Sequence, residues 1–121
     1  MKNDYIIEGE IVKISINSKN GNVFAIIDRD DFEKVNSYKT SWYVSIRENK
    51  IEAVVTKVQK NKIRKNIPLH RLITNCIDGK VVDHINGNVL DNRKTNLRVV
   101  LAKENSTNLH NCKNIYYEKV K

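Results

Sequence analysis

The sequence has few cysteines and no long apolar run, and these absences exclude several classes of protein. Its two cysteines, Cys76 and Cys112, lie far apart and form no CxxC pair, so neither a disulfide framework nor a zinc knuckle is expected. No apolar stretch approaches the roughly 18 residues that a membrane span needs. The N-terminus also lacks the apolar segment of a signal peptide. We therefore expect a cytoplasmic protein with no membrane partner and no small-molecule cofactor.

Acidic residues are scarce in one half of the chain only. Residues 1–56 contain 8 Lys and Arg against 9 Asp and Glu, a balance of −1, whereas residues 57–121 contain 14 against 5, a balance of +9. Between Ala53 and Ile77 there are six basic residues and no acidic one. Such a run is often only a solvated surface, but a one-sided excess also favours a polyanionic partner, because binding to phosphates releases condensed counterions. Nucleic acid is the natural candidate.

What the chain does contain fits one compact α+β unit. With 121 residues, 40% of them hydrophobic, it has the composition of a globular protein. Alternating apolar residues predict one or two weak strands over 5–15, and a buried strand is predicted over 23–27. Asp28 is expected to cap a helix that follows it, and 42–47 with 51–55 should form a hairpin. The first half is thus a small β-rich scaffold with one helix.

The second half is predicted to begin with a helix and to continue as strand, loop and strand. Pro68 suits the first turn of a helix that buries Leu69 and Ile73 and turns His70 and Arg71 another way. Residues 81–85 read as a strand, and the Asn-, Asp- and Gly-rich residues that follow must loop out as far as 96. A second strand over 97–100 and a helix from Ala102 to about Leu109 complete the pattern.

The most informative residues of the chain lie in this second half. Asp83 and His84 are adjacent, Asn96 lies 12 residues beyond His84, and Asn105 lies 21 beyond it. An acid, an imidazole and two amides suit the task of holding a hard divalent cation and a water against a phosphodiester. Asn105 shares a predicted helix face with Ala102 and would be costly to bury unpaired. A metal ion, or a hydrogen bond to the hairpin backbone, would satisfy it.

Several short motifs at fixed spacings surround these residues. They are LHRLI at 69–73, VDHINGN at 82–88, DNR at 91–93, NLR at 96–98 and EN at 104–105. Together, over residues 69–108, they resemble the HNH endonucleases of phages and mobile introns, which are ββα-metal nucleases. The resemblance implies a β-rich scaffold at 1–67, a ββα-metal (HNH) motif at 68–113 and a tail at 114–121. The tail and the region before the motif also resemble the AP2-like modules that flank such nucleases.

The resemblance also implies roles for the site residues. His84 would be the general base, Asp83 and Asn105 would bind one Mg²⁺ or Mn²⁺ ion, and Asn96 would brace the loop of the catalytic motif. The reaction would be hydrolysis of duplex DNA, with nicking by a monomer and double-strand cutting by a homodimer or in two encounters. The location would be the host-cell cytoplasm if a phage encodes the chain. The alternative is a non-catalytic DNA-binding, regulatory or inhibitor protein on the same fold.

The remaining candidates are basic residues that flank the motif. His70 is expected to be a supporting residue behind the site, with a structural or phosphate-contact role. Ordinary surface charges would explain the others equally well, but their position makes them candidates for contacts to the DNA backbone. These candidates are Lys62, Arg64, Lys65, Arg71, Arg93, Lys94 and Arg98.

Overall fold

The computed structural model describes residues 1–19 and 21–102. The chain begins with an antiparallel sheet of β1 (Tyr5–Glu8), β2 (Ile11–Ser18) and β3 (Gly21–Asp28), in that order. In β2, every second side chain is fully buried, which is the period expected of a strand with one face on a core. The two strands predicted before residue 15 and the strand over 23–27 are therefore confirmed.

The helix predicted after Asp28 is present but starts later. A 3-10 turn at Arg29–Asp31 comes first, and α1 (Phe32–Asn36) follows it. The expected cap by the Asp28 side chain is wrong, since this carboxylate makes no capping hydrogen bond. Instead it accepts a hydrogen bond of 2.8 Å from the backbone N–H of Lys94. A contact across so much of the chain cannot be read from local capping patterns.

A second antiparallel sheet contains β4 (Trp42–Arg47), β5 (Lys50–Lys60) and β6 (Ile63–Pro68). The hairpin of β4 and β5 is confirmed. Strand β6 was not foreseen, because its first four residues are all exposed and show no apolar alternation. It forms because it continues a hairpin with β5, paired from Lys60↔Ile63 to Val55↔Pro68.

The third part consists of α2 (Leu69–Thr74), β7 (Lys80–His84) and β8 (Leu97–Leu101). Strands β7 and β8 pair antiparallel and form a two-stranded sheet. The predicted order of helix, strand, loop and strand is confirmed. The helix predicted from Ala102 to about Leu109 lies almost entirely outside the described residues. As described, the protein is a small, mostly β structure of the α+β kind.

One hydrophobic core joins these parts. Trp42 is 1% exposed and donates its indole N–H to the carbonyl oxygen of Val35 at 3.3 Å, which satisfies the buried polar atom. The named α-helices of the described residues are α1 and α2, and neither is long and apolar enough to cross a membrane. The core residues come from both three-stranded sheets and both helices: Val12, Ile14, Ile16, Ala25, Ile27, Val35, Trp42, Val54, Leu69 and Ile73.

Candidate active site

Asp83 and His84 are the last two residues of β7, at the end of the β7–β8 hairpin from which the connecting loop leaves. Asp83 is paired with Arg98 across the hairpin, and His84 with Leu97. The side chains of neighbouring strand residues leave from opposite faces, yet Asp83 is only 7% exposed and His84 only 4%. Both faces of β7 are therefore covered at this point. On the side of His84, the cover is the loop of residues 86–96, whose Asn92 contacts the His84 ring.

A buried amide of this loop holds the His84 ring. The Oδ1 atom of Asn92, a residue with no exposed surface, lies 2.9 Å from Nε2 of His84. The Nδ2 group of Asn92 donates to the Val89 carbonyl oxygen at 3.2 Å, so the amide oxygen is the atom turned toward the imidazole. Because an amide oxygen can only accept a hydrogen bond, Nε2 of His84 carries the proton. In the neutral ring, Nδ1 is then the basic nitrogen.

The surroundings of His84 also favour its neutral form. Burial lowers the pKa of His84 below its usual value, and the Asn92 hydrogen bond and the charges of Asp83 and Asp91 oppose this shift only in part. A neutral imidazole is the form that can accept a proton from water. The sequence predicts Asn92 only as one of the polar residues that form the loop. The one available signal was its place in the run Asp91-Asn92-Arg93.

The prediction that His70 turns away from the buried face of α2 is wrong. His70 is 3% exposed, and its ring packs edge-on against His84 with 5.3 Å between the ring centroids. Helix α2 has only six residues, and it packs on two sides: Leu69 and Ile73 join the hydrophobic core, while His70 lies against β7. His70 therefore lies next to His84, and its burial leaves little surface for contact with a phosphate.

His70 makes the stability of the fold depend on pH. Its burial, and to a smaller extent its electrostatic interactions with His84 and Arg71, lower the pKa of His70 from 6.5 to about 3. A folded-state pKa below the unfolded value means that the unfolded chain binds more protons. The contribution to stability is therefore complete above pH 6.5 and is lost as the pH falls from 6.5 toward about 3.

Because of His70, we expect the free energy of unfolding to fall by about 1.4 kcal/mol for each unit by which the pH is lowered between 6.5 and about 3. Urea unfolding of the wild type and of His70→Phe, which keeps a buried ring, measures the difference. The slope of unfolding free energy against pH should be smaller in the variant by about that amount. Equal slopes between pH 6.5 and the acid unfolding transition would contradict the burial of a neutral His70.

Asp83 is engaged by an ion pair. The Nη2 group of Arg98 donates to Oδ2 of Asp83 at 2.5 Å, and the Arg98 side chain is 59% exposed whereas that of Asp83 is 10% exposed. A pair with one partner in solvent contributes little to stability, on the order of 1 kcal/mol or less. Its consequence is local, since it fixes the orientation of the Asp83 carboxylate beside His84.

Asn96 braces the loop. Its Oδ1 atom accepts a hydrogen bond from the backbone N–H of Asn86 at 3.0 Å, and its Nδ2 group donates to Oδ1 of Asn86 and to the carbonyl oxygen of Asp91, each at 2.9 Å. The backbone N–H of Ile85 also donates to the carbonyl oxygen of Asn96 at 2.9 Å. These bonds tie the two ends of the loop together, in the manner expected of a bracing residue.

The loop is also fastened to the first sheet, which the sequence did not predict. The backbone N–H of Ile26 donates to the carbonyl oxygen of Leu90 at 2.8 Å, and the backbone N–H of Asn92 donates to the carbonyl oxygen of Ile26 at 2.7 Å. The Nζ group of Lys94 forms a 3.0 Å ion pair with the buried Asp31. The position of Asn92 beside His84 therefore depends on the N-terminal sheet as well as on the hairpin.

Four of the seven predicted DNA-contacting residues have partners within the protein. Lys94 pairs with Asp31 and Arg98 with Asp83, as described above. Arg93 forms two hydrogen bonds with the Asp91 carboxylate, at 2.8 and 2.7 Å, and these bonds are the main reason that the pKa of Asp91 is lowered. Arg71 donates to the carbonyl oxygens of Lys80, Cys76 and Ile77, which fastens the connection between α2 and β7.

The other three predicted DNA contacts lie elsewhere. Lys62, Arg64 and Lys65 are all exposed, at the turn between β5 and β6 and along β6. Asn105, the predicted second metal ligand, lies outside the described residues, as does the AP2-like tail. Within the part of the chain that is described, no three His, Cys, Asp or Glu side chains cluster as a metal site. Of the two predicted metal ligands, Asp83 is the one that lies within the described residues.

Comparisons with known proteins support the assignment of the second half. A family model described as HNH endonuclease matches residues 76–107. The chain is 31% identical, over 111 residues, to a protein of Acanthamoeba polyphaga mimivirus named as an uncharacterized HNH endonuclease. That alignment covers 87% of this chain and 54% of the relative, so the chain spans about half of the relative's length. No solved structure matches the chain. Residues 76–107, which include Asp83, His84 and Asn96, therefore match the HNH endonuclease family.

Proposed function

We propose that this protein is a metal-dependent DNA endonuclease of the HNH type that hydrolyses phosphodiester bonds. The observation that carries the proposal is the buried His84 imidazole, which Asn92 holds with its proton on Nε2 and which follows Asp83 directly in the chain. A fixed neutral imidazole next to an acid is the arrangement that a general base for water needs. The match of the surrounding residues to the HNH family supports the same reading.

In the proposed reaction, Nδ1 of His84 accepts a proton from the attacking water, and this atom, which is buried in the structure, has to become accessible when DNA binds. The hydrogen bond from Nε2 to Asn92 keeps the ring oriented as it becomes charged, and the nearby Asp83 and Asp91 carboxylates favour the charged form. Water attacks phosphorus, and the bond to the 3′ oxygen breaks, which would leave 5′-phosphate and 3′-hydroxyl ends. Asn96 takes no direct part in this step and preserves the loop that presents Asn92.

Asp83 would hold a divalent cation, with Asn105 as the proposed second ligand. HNH nucleases generally use divalent metal ions, and a carboxylate and an amide oxygen suit Mg²⁺ or Mn²⁺, which keeps several waters in its shell. When bound, the ion supplies positive charge that stabilises the pentavalent transition state. The Arg98 ion pair uses Oδ2 of Asp83, so the carboxylate meets the ion through its other oxygen or after Arg98 has moved.

Duplex DNA is the proposed substrate because the basic excess lies in the half of the chain that carries the site. One site per chain means that a monomer nicks, and that cutting both strands takes a homodimer or two encounters. We also propose that the protein is related to the HNH nucleases of phages and mobile introns and to their AP2-like flanking modules. The Arg98–Asp83 ion pair favours one other candidate, a DNA-binding, regulatory or inhibitor protein that no longer cuts.

Incubation of supercoiled plasmid with the purified full chain separates the two candidates. With Mg²⁺ or Mn²⁺ we expect conversion to the relaxed circle first and to the linear form only later, and no conversion in EDTA. The measurement is the amount of each plasmid form on a gel over time. Binding of duplex without relaxation at any concentration of either metal would favour the non-catalytic candidate.

A further inference from the structure

The ends of β5 and β6 form a two-stranded ribbon that projects from the core. Residues 57–66, which we call the ribbon, are paired from Lys57↔Asn66 to Lys60↔Ile63. Residues 59–66 are all exposed, and Ile63 is 69% exposed. The turn at Asn61 and Lys62 has positive φ at both residues, 54° and 66°, which is typical of the tight hairpin turn that matches the twist of paired strands. Neither face of the ribbon's end packs against the core.

The charge of the ribbon is of one sign. It contains five basic residues and no acidic one: Lys57, Lys60, Lys62, Arg64 and Lys65. Charge alone would serve for contact with the phosphates of any duplex. The pairing of the two strands adds something that charge does not, because it divides the side chains into two different faces.

Directly paired residues, and residues two apart along a strand, lie on the same face of a ribbon. One face therefore carries Lys57, Gln59, Arg64 and Asn66, and the other carries Val58, Lys60, Ile63 and Lys65. Side chains of Arg, Gln and Asn form paired hydrogen bonds with the edges of guanine and adenine. The opposite face has no amide and no Arg: it carries two Lys side chains, which can also contact guanine, and the apolar Val58 and Ile63. We call the face with Lys57, Gln59, Arg64 and Asn66 the reading face, and the face with Val58, Lys60, Ile63 and Lys65 the supporting face.

The dimensions of the ribbon fit the major groove. Three steps along a strand, at about 3.4 Å each, give a reach of roughly 10 Å before the turn. The major groove of B-DNA is about 12 Å wide and about 8.5 Å deep and admits a two-stranded ribbon, whereas the minor groove is only about 6 Å wide. We propose that the ribbon enters the major groove of the duplex substrate, where Gln59, Arg64 and Asn66 read base edges and so choose the sequence at which the protein acts.

This inference rests on the proposed function for its substrate, and a second observation connects the ribbon to the site. Lys57 and Asn66 also line an open groove of about 800 Å³, whose other wall includes His70 and Arg71. The His70 ring lies 5.3 Å from that of His84, between centroids. The groove thus connects the ribbon to His70, the residue that packs on the proposed general base. Its lining carries three basic side chains, Lys57, Lys65 and Arg71, and two acidic ones, Glu52 and Asp78.

Selection from a library of duplexes with a randomised segment tests the assignment. The full chain binds the library in EDTA, and sequencing of the bound fraction gives the preference at each base pair. Arg64→Ala should weaken the preference at one base pair by about 5- to 150-fold, and Gln59→Ala and Asn66→Ala should do so at neighbouring pairs. The matched control is Lys60→Ala, which also removes one positive charge from the ribbon but from the other face.

Lys60→Ala should leave the preferred sequence unchanged, weaken binding to all duplexes alike, and reduce the slope of log affinity against log salt by about 0.9. Unchanged preference in all three reading-face variants, or a wild type that selects no sequence, would overturn the proposal. Because binding is measured in EDTA, the result does not depend on whether the protein can cleave DNA. A failed plasmid assay with a successful selection would refute the nuclease and leave the ribbon's role standing.

Discussion

Replacement of His84 by alanine should reduce plasmid nicking by about 10²- to 10⁴-fold, the range that a positioned general base supplies. The imidazole is the one described side chain at the site with a titratable nitrogen that burial keeps neutral and that a loop amide orients. Its removal leaves the hairpin and the Asp83–Arg98 ion pair in place. Initial rates of supercoil relaxation at saturating Mg²⁺ measure the loss, with circular dichroism to show that the variant is folded.

A second substitution separates the chemistry of His84 from simple packing. Asn92→Leu keeps the number and branching of the side-chain heavy atoms but removes the hydrogen-bond acceptor for Nε2. The ring is then free to place its proton on either nitrogen, so we expect a smaller loss than for His84→Ala, on the order of 10- to 100-fold, as is usual when the partner that orients a functional histidine is removed. Thr95→Ala, at an exposed position of the same loop, should have no effect. Nicking at the wild-type rate in His84→Ala would rule out this residue as the base.

The sequence predicted the site better than it predicted the surroundings of the site. The spacing of Asp83, His84 and Asn96 is local information, and the hairpin with its braced loop follows from strand and loop composition alone. The position of Asn92 could not be predicted in that way, because it is fixed by hydrogen bonds to Ile26, some 60 residues earlier in the chain. Contacts between distant segments depend on how the sheets pack, and no periodicity records them.

The two errors about α2 and β6 have the same kind of cause. Helical periodicity assigns one buried stripe to a helix, but α2 is so short that neighbours on two sides cover both His70 and the leucine stripe. Strand β6 lacks the alternation of a half-buried strand because it extends into solvent as part of a hairpin. In both places the expected pattern was that of an element facing a single core. Departures from such patterns are common at functional sites.

Asp83→Asn should reduce metal-dependent nicking by about 10²-fold or more, because it removes the negative charge of the proposed metal ligand. Asparagine keeps the shape of the side chain and an oxygen that can accept the Arg98 hydrogen bond. The loss would therefore report the charge rather than the fold. Rates measured over a series of Mg²⁺ and Mn²⁺ concentrations should show that the variant needs much more metal for half-maximal activity.

Arg98→Gln is the control for this change, because it breaks the same ion pair from the other side. If Asp83 acts only by holding Arg98, the two variants lose activity equally. If Asp83 holds the cation, Arg98→Gln keeps most of the activity, and its requirement for metal stays equal or falls, since a positive charge 2.5 Å from the carboxylate is gone. Equal losses in the two variants would mean that Asp83 only stabilises the hairpin and does not bind the metal. The strongest support for a metal-dependent reaction would then be lost.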